Sequence, residues 1–218
     1  RFITRYVFGM KEAATLLRPL PAFALAWMSR SGGVHERLTS LGLLACAAGD
    51  ALLSAEVANA RACFFVAHVV FALVANTEPE PPWRIYPRWL SLAGMYAYVA
   101  FACGHVVMEE SSPVRVAVLL AYGVALASMA GAVSARVPID NGGGWMQGRE
   151  RYRFCGAVAL VGADCMHALN FFSESESGIF VSESQGDCLI MGLYYVGLTA
   201  MACGCTAVNL AKNKSKSA

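Results

Sequence analysis

Apolar residues run along this chain in seven long stretches, near residues 13–28, 38–55, 61–76, 89–108, 114–135, 153–172 and 188–210, with short polar breaks between them. A bilayer core about 30 Å thick needs roughly 20 apolar residues of helix, and windows of about that length fit these stretches. Only the first is short for a span, because Arg18 and Pro19 interrupt it. The runs are too long for barrel strands and lack a period of two, so helix is the predicted element throughout. Ser31-Gly32-Gly33, the Glu78-Pro79-Glu80-Pro81-Pro82 run, Ser111-Ser112-Pro113 and Asn141-Gly142-Gly143-Gly144 disfavour continued helix and are predicted loops. The expected fold is an all-α, polytopic transmembrane helix bundle with seven spans.

Composition supports that solvent. Of 218 residues, 57% are hydrophobic and 15% charged, where a soluble domain of this size is nearer a quarter charged. The same figures exclude disordered, coiled-coil, collagen-like and disulfide-stapled classes. A net charge of +2 without a long basic run gives no sign of a nucleic-acid partner. The eight cysteines lie mostly within apolar stretches and form no zinc spacing, so they read as small hydrophobes. Composition is uniform and no internal repeat is visible, which predicts one helical domain over 1–218. The chain opens at Arg1 without a Met or a signal peptide, so it is expected to be either processed or a fragment; with one N-terminal helix missing before Arg1, the complete protein would have eight spans.

Lys and Arg give sidedness. Seven alternating spans put Arg1, Arg5, Lys11, Arg61 and Arg115 on one side. The other side holds Arg30, Arg37, Arg84, Arg88, Arg136, Arg149, Arg151, Arg153, Lys212, Lys214 and Lys216. The richer side should be cytosolic, so residues 212–218 form a basic cytosolic tail and the loop with Glu174, Glu176, Glu183 and Asp187 faces the lumen or exterior. Trp27, Trp83, Trp89 and Trp145 fall near span ends, as interfacial anchors do.

Charges inside spans carry the functional information, since an Asp at the centre of a membrane helix costs about 2.5–3.5 kcal/mol on insertion scales and usually faces the bundle interior. Asp50 stands in the second stretch and Asp164 in the sixth, each among small residues that permit close helix approach. His167 follows Asp164 on the same helical face, His68 lies in the third stretch, Arg18 adds a positive charge and Tyr194 and Tyr195 add hydroxyls in the last. A structural pairing of each charge competes with a functional cavity. No GxSxG, GxxxxGK[ST], HxxxH or HExxH occurs, and all four lysines lie outside the stretches, which removes a retinal Schiff base. A convergent metal set from Asp50, His68, Asp164 and His167 is conceivable but has no motif behind it.

Leu17-Arg18-Pro19-Leu20-Pro21, Gly49-Asp50-Ala51-Leu52-Leu53, Phe64-Phe65-Val66-Ala67-His68, Gly162-Ala163-Asp164 and Leu193-Tyr194-Tyr195 resemble, in order and spacing, the YhhN family, also called the TMEM86 or lysoplasmalogenase family. The resemblance implies an eight-helix membrane fold and hydrolysis of the vinyl ether bond of lysoplasmalogens to a fatty aldehyde and a glycerophospho-alcohol. The chain departs from the family pattern at Arg18 (Lys in the family), Ala163 (Ser), Phe71 (Tyr) and Leu198 (Gln), the last two removing hydrogen-bonding groups.

Vinyl ethers cleave when a proton reaches the enol carbon and water captures the oxocarbenium ion, so the chemistry needs acids rather than a nucleophile. A carboxyl in low dielectric can retain a proton and a second carboxylate can stabilise the cation, as paired carboxylates do in glycoside cleavage. Asp50 and Asp164 are the expected catalytic pair, with His68 orienting or relaying a proton. Arg18, Tyr194, Tyr195 and His167 are expected substrate-binding residues. No metal or organic cofactor is demanded; the expected partners are a lysophospholipid substrate and membrane lipids. The expected location is multi-pass in the endoplasmic reticulum or another endomembrane. The competing readings are a lysolipid-binding protein without turnover and a proton or solute pathway through the same acids.

Overall fold

A computed structural model describes residues 17–53, 57–77, 88–109, 111–136, 149–172 and 183–216. They form seven helices: α1 Leu20–Ser29, α2 Val34–Leu52, α3 Val57–Thr77, α4 Arg88–Glu109, α5 Pro113–Ser134, α6 Arg149–Phe172 and α7 Glu183–Lys216. There is no strand among the described residues. The breaks act as their chemistry requires. Arg30 to Gly33 turn the chain between α1 and α2, and Pro113 opens α5 at a position whose missing N–H is an orphan in any helix. The Glu78–Pro82 and Asn141–Gly144 breaks, Glu174, Glu176, Trp83 and Trp145 lie outside the described residues.

The seven-span expectation needs correction in detail. Among the described residues, Asn59–Thr77 in α3 and Pro113–Ser134 in α5 are the two segments long and apolar enough to cross a bilayer on their own, with mean hydropathies of 1.6 and 2.1. α1 has 10 residues, about 15 Å of helix and half a hydrocarbon core. α2 carries Glu36, Arg37 and Asp50, and α6 opens on Arg149, Glu150, Arg151 and Arg153, which lowers their apolar content. In α4 and α7 the apolar segments are Leu92–Phe101 and Cys188–Gly204. α7 continues to Lys216, so most of the basic tail is helical.

Packing closes a ring. α1 packs on α2, α2 on α3, α3 on α5, α5 on α6, α6 on α7 and α7 back on α1 and α2, while α4 lies against the outside of α5 and α6. Small residues allow this. A Cβ at Gly156 of α6 would come within 2.8 Å of the Gly197 carbonyl of α7, and one at Gly42 of α2 within 2.5 Å of the Phe71 ring of α3. The core is built from Ala22, Ala26, Leu43, Ala67, Phe71, Leu126, Met129, Leu160 and Leu198, with Cys46 and Cys165 buried among them as small apolar groups. Phe71 and Leu198 are therefore apolar packing residues.

Large apolar side chains such as Phe101, Met108, Val114 and Val196 stand exposed on the outer face. In water that would be a liability; against lipid it is ordinary. Trp27 is exposed near the end of α1, with the Arg30 guanidinium 2.9 Å above its ring.

Chain alternation puts the start of α2, α4 and α6 and the end of α3 and α5 at one end of the bundle. A buried network closes that end: Arg136 donates to the Ala75 carbonyl in the last turn of α3 at 3.1 Å and stands 3.5 Å from Glu150, which Arg153 approaches to 4.0 Å. A cation on the last carbonyls of a helix is favoured by their partial negative charge.

Candidate functional site

Each of the six ring helices, or the turn leading into it, contributes a polar side chain to the interior of the opposite half. Asp50 lies two residues before the end of α2, nearer the helix terminus than its position in the apolar stretch implies. Its side chain is only 1% exposed. Arg18, just ahead of α1, brings Nε to 3.6 Å from Oδ1, and Tyr194 of α7 donates to Oδ2 at 3.1 Å. The Arg18 guanidinium also contacts the Met191 sulfur at 3.4 Å.

Local sequence explains the placement of Tyr194. Gly49, beside Asp50, lets the Phe64 ring lie against α2, where a Cβ would stand 2.7 Å from Phe64 Cε1. Phe64 in turn meets the Tyr194 ring edge-on at 6.0 Å and holds it against the carboxylate. Tyr195 has a different role: its hydroxyl donates to the Arg18 backbone carbonyl at 2.7 Å and pins the entry to α1.

A second cluster lies nearer the middle of the helices. His68 of α3 has Nε2 at 3.1 Å from Asp164 Oδ2 of α6 and at 3.1 Å from the Tyr122 hydroxyl of α5. The His68 side chain is 4% exposed, but that of Asp164 is 28% exposed, so this carboxyl remains reachable. The Tyr122 ring meets the imidazole edge-on at 5.3 Å. His68 Nδ1 is buried and has no hydrogen-bond partner.

Cys46 sits one turn before Asp50 on α2 and is buried. The interior thus holds two polar clusters, Arg18–Asp50–Tyr194 and His68–Asp164–Tyr122.

Of the residues singled out in the sequence, Arg18, Asp50 and Tyr194 meet in one cluster and His68 and Asp164 in the other. Tyr195 touches the cluster through the Arg18 backbone, and His167 is exposed, one helical turn beyond Asp164. Asp50, His68, Asp164 and His167 do not converge as a metal-ligand set among the described residues. Arg18 already faces a carboxylate, so any anion it bound would compete with Asp50. Sequence reading missed Tyr122. A tyrosine nine residues into an apolar helix carried no visible partner.

No curated protein and no solved structure shows a significant match to the chain. A YhhN family profile matches residues 13–205, which takes in all seven helices up to the apolar end of α7 and every residue of both clusters. With the helical ring and its buried acids in place, that coverage settles the family: the chain belongs to the YhhN family of membrane proteins.

Proposed function

We propose that this protein is a membrane-embedded lysoplasmalogenase, cleaving the vinyl ether bond of a lysophospholipid by acid/base catalysis in the interior of the helix ring. Characterised members of the YhhN family are lysoplasmalogenases. The observation that carries the reading is the asymmetry of the two acids: Asp164 is partly exposed and hydrogen-bonded on one oxygen, whereas Asp50 is sealed against Arg18 and Tyr194. Asp164 is then the group that meets substrate, and Asp50 acts by fixing the charge and geometry of the cluster behind it.

In this mechanism the proton of the Asp164–His68 pair is delivered through the Asp164 carboxyl to the β-carbon of the vinyl ether, leaving an oxocarbenium ion at the carbon bonded to oxygen. The Asp164 carboxylate so formed stabilises the cation and takes a proton from the water that attacks it. The hemiacetal collapses to fatty aldehyde and glycerophospho-alcohol. Neither a serine nor a thiol nucleophile is required. His68 holds the carboxyl, and Arg18, at 17% exposure, supplies the cationic rim nearest a phosphate. All seven helices are embedded in this reading, with the Arg136–Glu150–Arg153 end in the cytosol and the acid clusters in the opposite half.

The test is aldehyde release by the purified protein in detergent from a lysoplasmalogen, with the saturated alkyl-ether analogue as control. The vinyl ether should be cleaved and the alkyl ether left intact, and Asp164→Asn should remove turnover. Binding of lysolipid without aldehyde release, or full activity in Asp164→Asn, refutes the assignment.

A further inference from the structure

Arg18 and Asp50 face each other across 3.6 Å without a hydrogen bond: among the described residues, Arg18 Nε and Asp50 Oδ1 are buried and neither has a hydrogen-bond partner. The one hydrogen bond that the guanidinium makes among those residues runs from Nη2 to the Met191 sulfur at 3.4 Å. A thioether is a weak acceptor, whereas a guanidinium offers five N–H donors in a rigid fork that fits the oxygens of a phosphate two at a time. The main chain beneath it is held, since Tyr195 donates to the Arg18 carbonyl at 2.7 Å. Arg18 is therefore a cation on a fixed base with most of its donors unused, and its side chain is 17% exposed.

Its depth suits a lipid phosphate. Asp50 lies two residues from the end of α2, and Met191 lies three residues into the apolar segment of α7, so the guanidinium stands where the apolar part of the bundle meets the headgroup layer. Asp164 lies eight residues from the end of α6, at the same end of the bundle, and so about 9 Å of helix nearer the middle. In a lysoplasmalogen roughly seven bonds, about 8 Å of extended chain, separate the phosphorus from the β-carbon of the vinyl ether. A phosphate on Arg18 puts the reacting carbon at the level of the Asp164 carboxyl.

We propose that Arg18 is the headgroup anchor of the proposed active site: its guanidinium exchanges the Met191 sulfur for the phosphate of a single-chain lipid, the glycerol spans the distance to Asp164, and the protein thereby selects phosphate-bearing vinyl ethers over alkenylglycerols. The course of the glycerol rests on the lysoplasmalogenase reading; the phosphate preference at Arg18 does not. Asp50 tunes the site from behind. Its carboxylate already attracts the guanidinium, so a phosphate gains less from Arg18 than it would from an arginine standing alone, and a glycerophospho-alcohol leaves more readily.

The experiment uses the full chain in a phosphate-free maltoside detergent and two saturated ligands of equal chain length, an alkyl-ether lysophospholipid and an alkylglycerol. Wild type should bind the lysophospholipid about 10- to 100-fold more tightly, the worth of charge-assisted hydrogen bonds to one phosphate. Arg18→Met alone strands a buried carboxylate, so the deciding comparison is Asp50→Asn against Arg18→Met/Asp50→Asn, two proteins of similar stability that differ only in the guanidinium. Asp50→Asn should keep or enlarge the preference, and the double variant should bring the two ligands to within about threefold of each other. Inorganic phosphate at millimolar concentration should leave the bound lysophospholipid in place. In turnover, wild type should cleave the alkenylglycerol with a KM about 10- to 100-fold above that of the lysoplasmalogen. Equal binding of the two ligands by wild type, a preference that survives in the double variant, displacement by inorganic phosphate, or equal KM values for the two vinyl ethers overturns the proposal. Wild type that shows the binding preference yet releases no aldehyde from lysoplasmalogen refutes the hydrolase reading instead, and the phosphate site at Arg18 stands.

Discussion

Arg18 and Asp50 form an ion pair whose two ends are not equally buried, and that asymmetry predicts unequal effects of breaking it. Oδ1 and Nε are 3.6 Å apart, which at an effective dielectric constant near 20 corresponds to a gross attraction of about 4–5 kcal/mol. Removing Arg18 leaves a carboxylate that is 1% exposed without its counter-ion, and such a break costs about 3–5 kcal/mol. The Tyr194 hydroxyl still donates to Oδ2 and returns part of this, so Arg18→Met should destabilise by about 2–4 kcal/mol. Removing the charge of Asp50 is gentler. Arg18 is 17% exposed on a long stem that can turn its head toward water, and Asn keeps an acceptor for Tyr194, so Asp50→Asn should cost about 1–2 kcal/mol. The double variant should lie close to Asp50→Asn alone, giving a coupling of about 2–4 kcal/mol. Reversible denaturant unfolding of the four proteins in one detergent, followed by tryptophan fluorescence, measures all of these terms. Equal costs for the two single variants, or a coupling below about 0.5 kcal/mol, would refute the view that the pair is an anchor for a sealed carboxylate.

Further consequences can be checked separately. Asp164→Asn should lower turnover by about 100-fold or more while unfolding as wild type does within about 1 kcal/mol, because its carboxyl is partly exposed; parallel aldehyde and unfolding assays separate the two effects. Gly49→Val should push the Phe64 ring off α2 and displace Tyr194 from Asp50, at about 1–3 kcal/mol, and Phe64→Leu should restore much of that stability. The acid clusters lie in the half away from the Arg136–Glu150–Arg153 network, so in sealed right-side-out vesicles a membrane-impermeant maleimide should label exposed Cys188, at the α7 end nearest the clusters, in a variant where it is the sole cysteine. Val34→Cys, at the other end, should label only after the vesicles are opened.

Much of this architecture was legible in the chain itself. Seven apolar stretches became seven helices because Ser31-Gly32-Gly33 and Ser111-Ser112-Pro113 disfavour continued helix, and because buried backbone in a lipid-like setting has few alternatives to helical hydrogen bonding. Asp50, His68 and Asp164 could be singled out by cost alone, since a charge in an apolar run demands a partner. What the one-dimensional pattern could not supply was who meets whom. Asp50 and Asp164 are equally conspicuous in sequence, yet the ring order, with α3 packed on α5 and α7 closing on α1 and α2, gives one of them an arginine and a tyrosine and the other a histidine and a tyrosine. Their difference in exposure arises from that packing. Tyr122 was invisible for the same reason: a phenol in an apolar helix acquires chemical meaning only when a neighbouring helix sets an imidazole beside its hydroxyl. Sequence fixes the solvent, the element type and the residues that cannot stand alone; tertiary packing decides which partners satisfy them, because partner choice depends on distances between helices that no local pattern encodes.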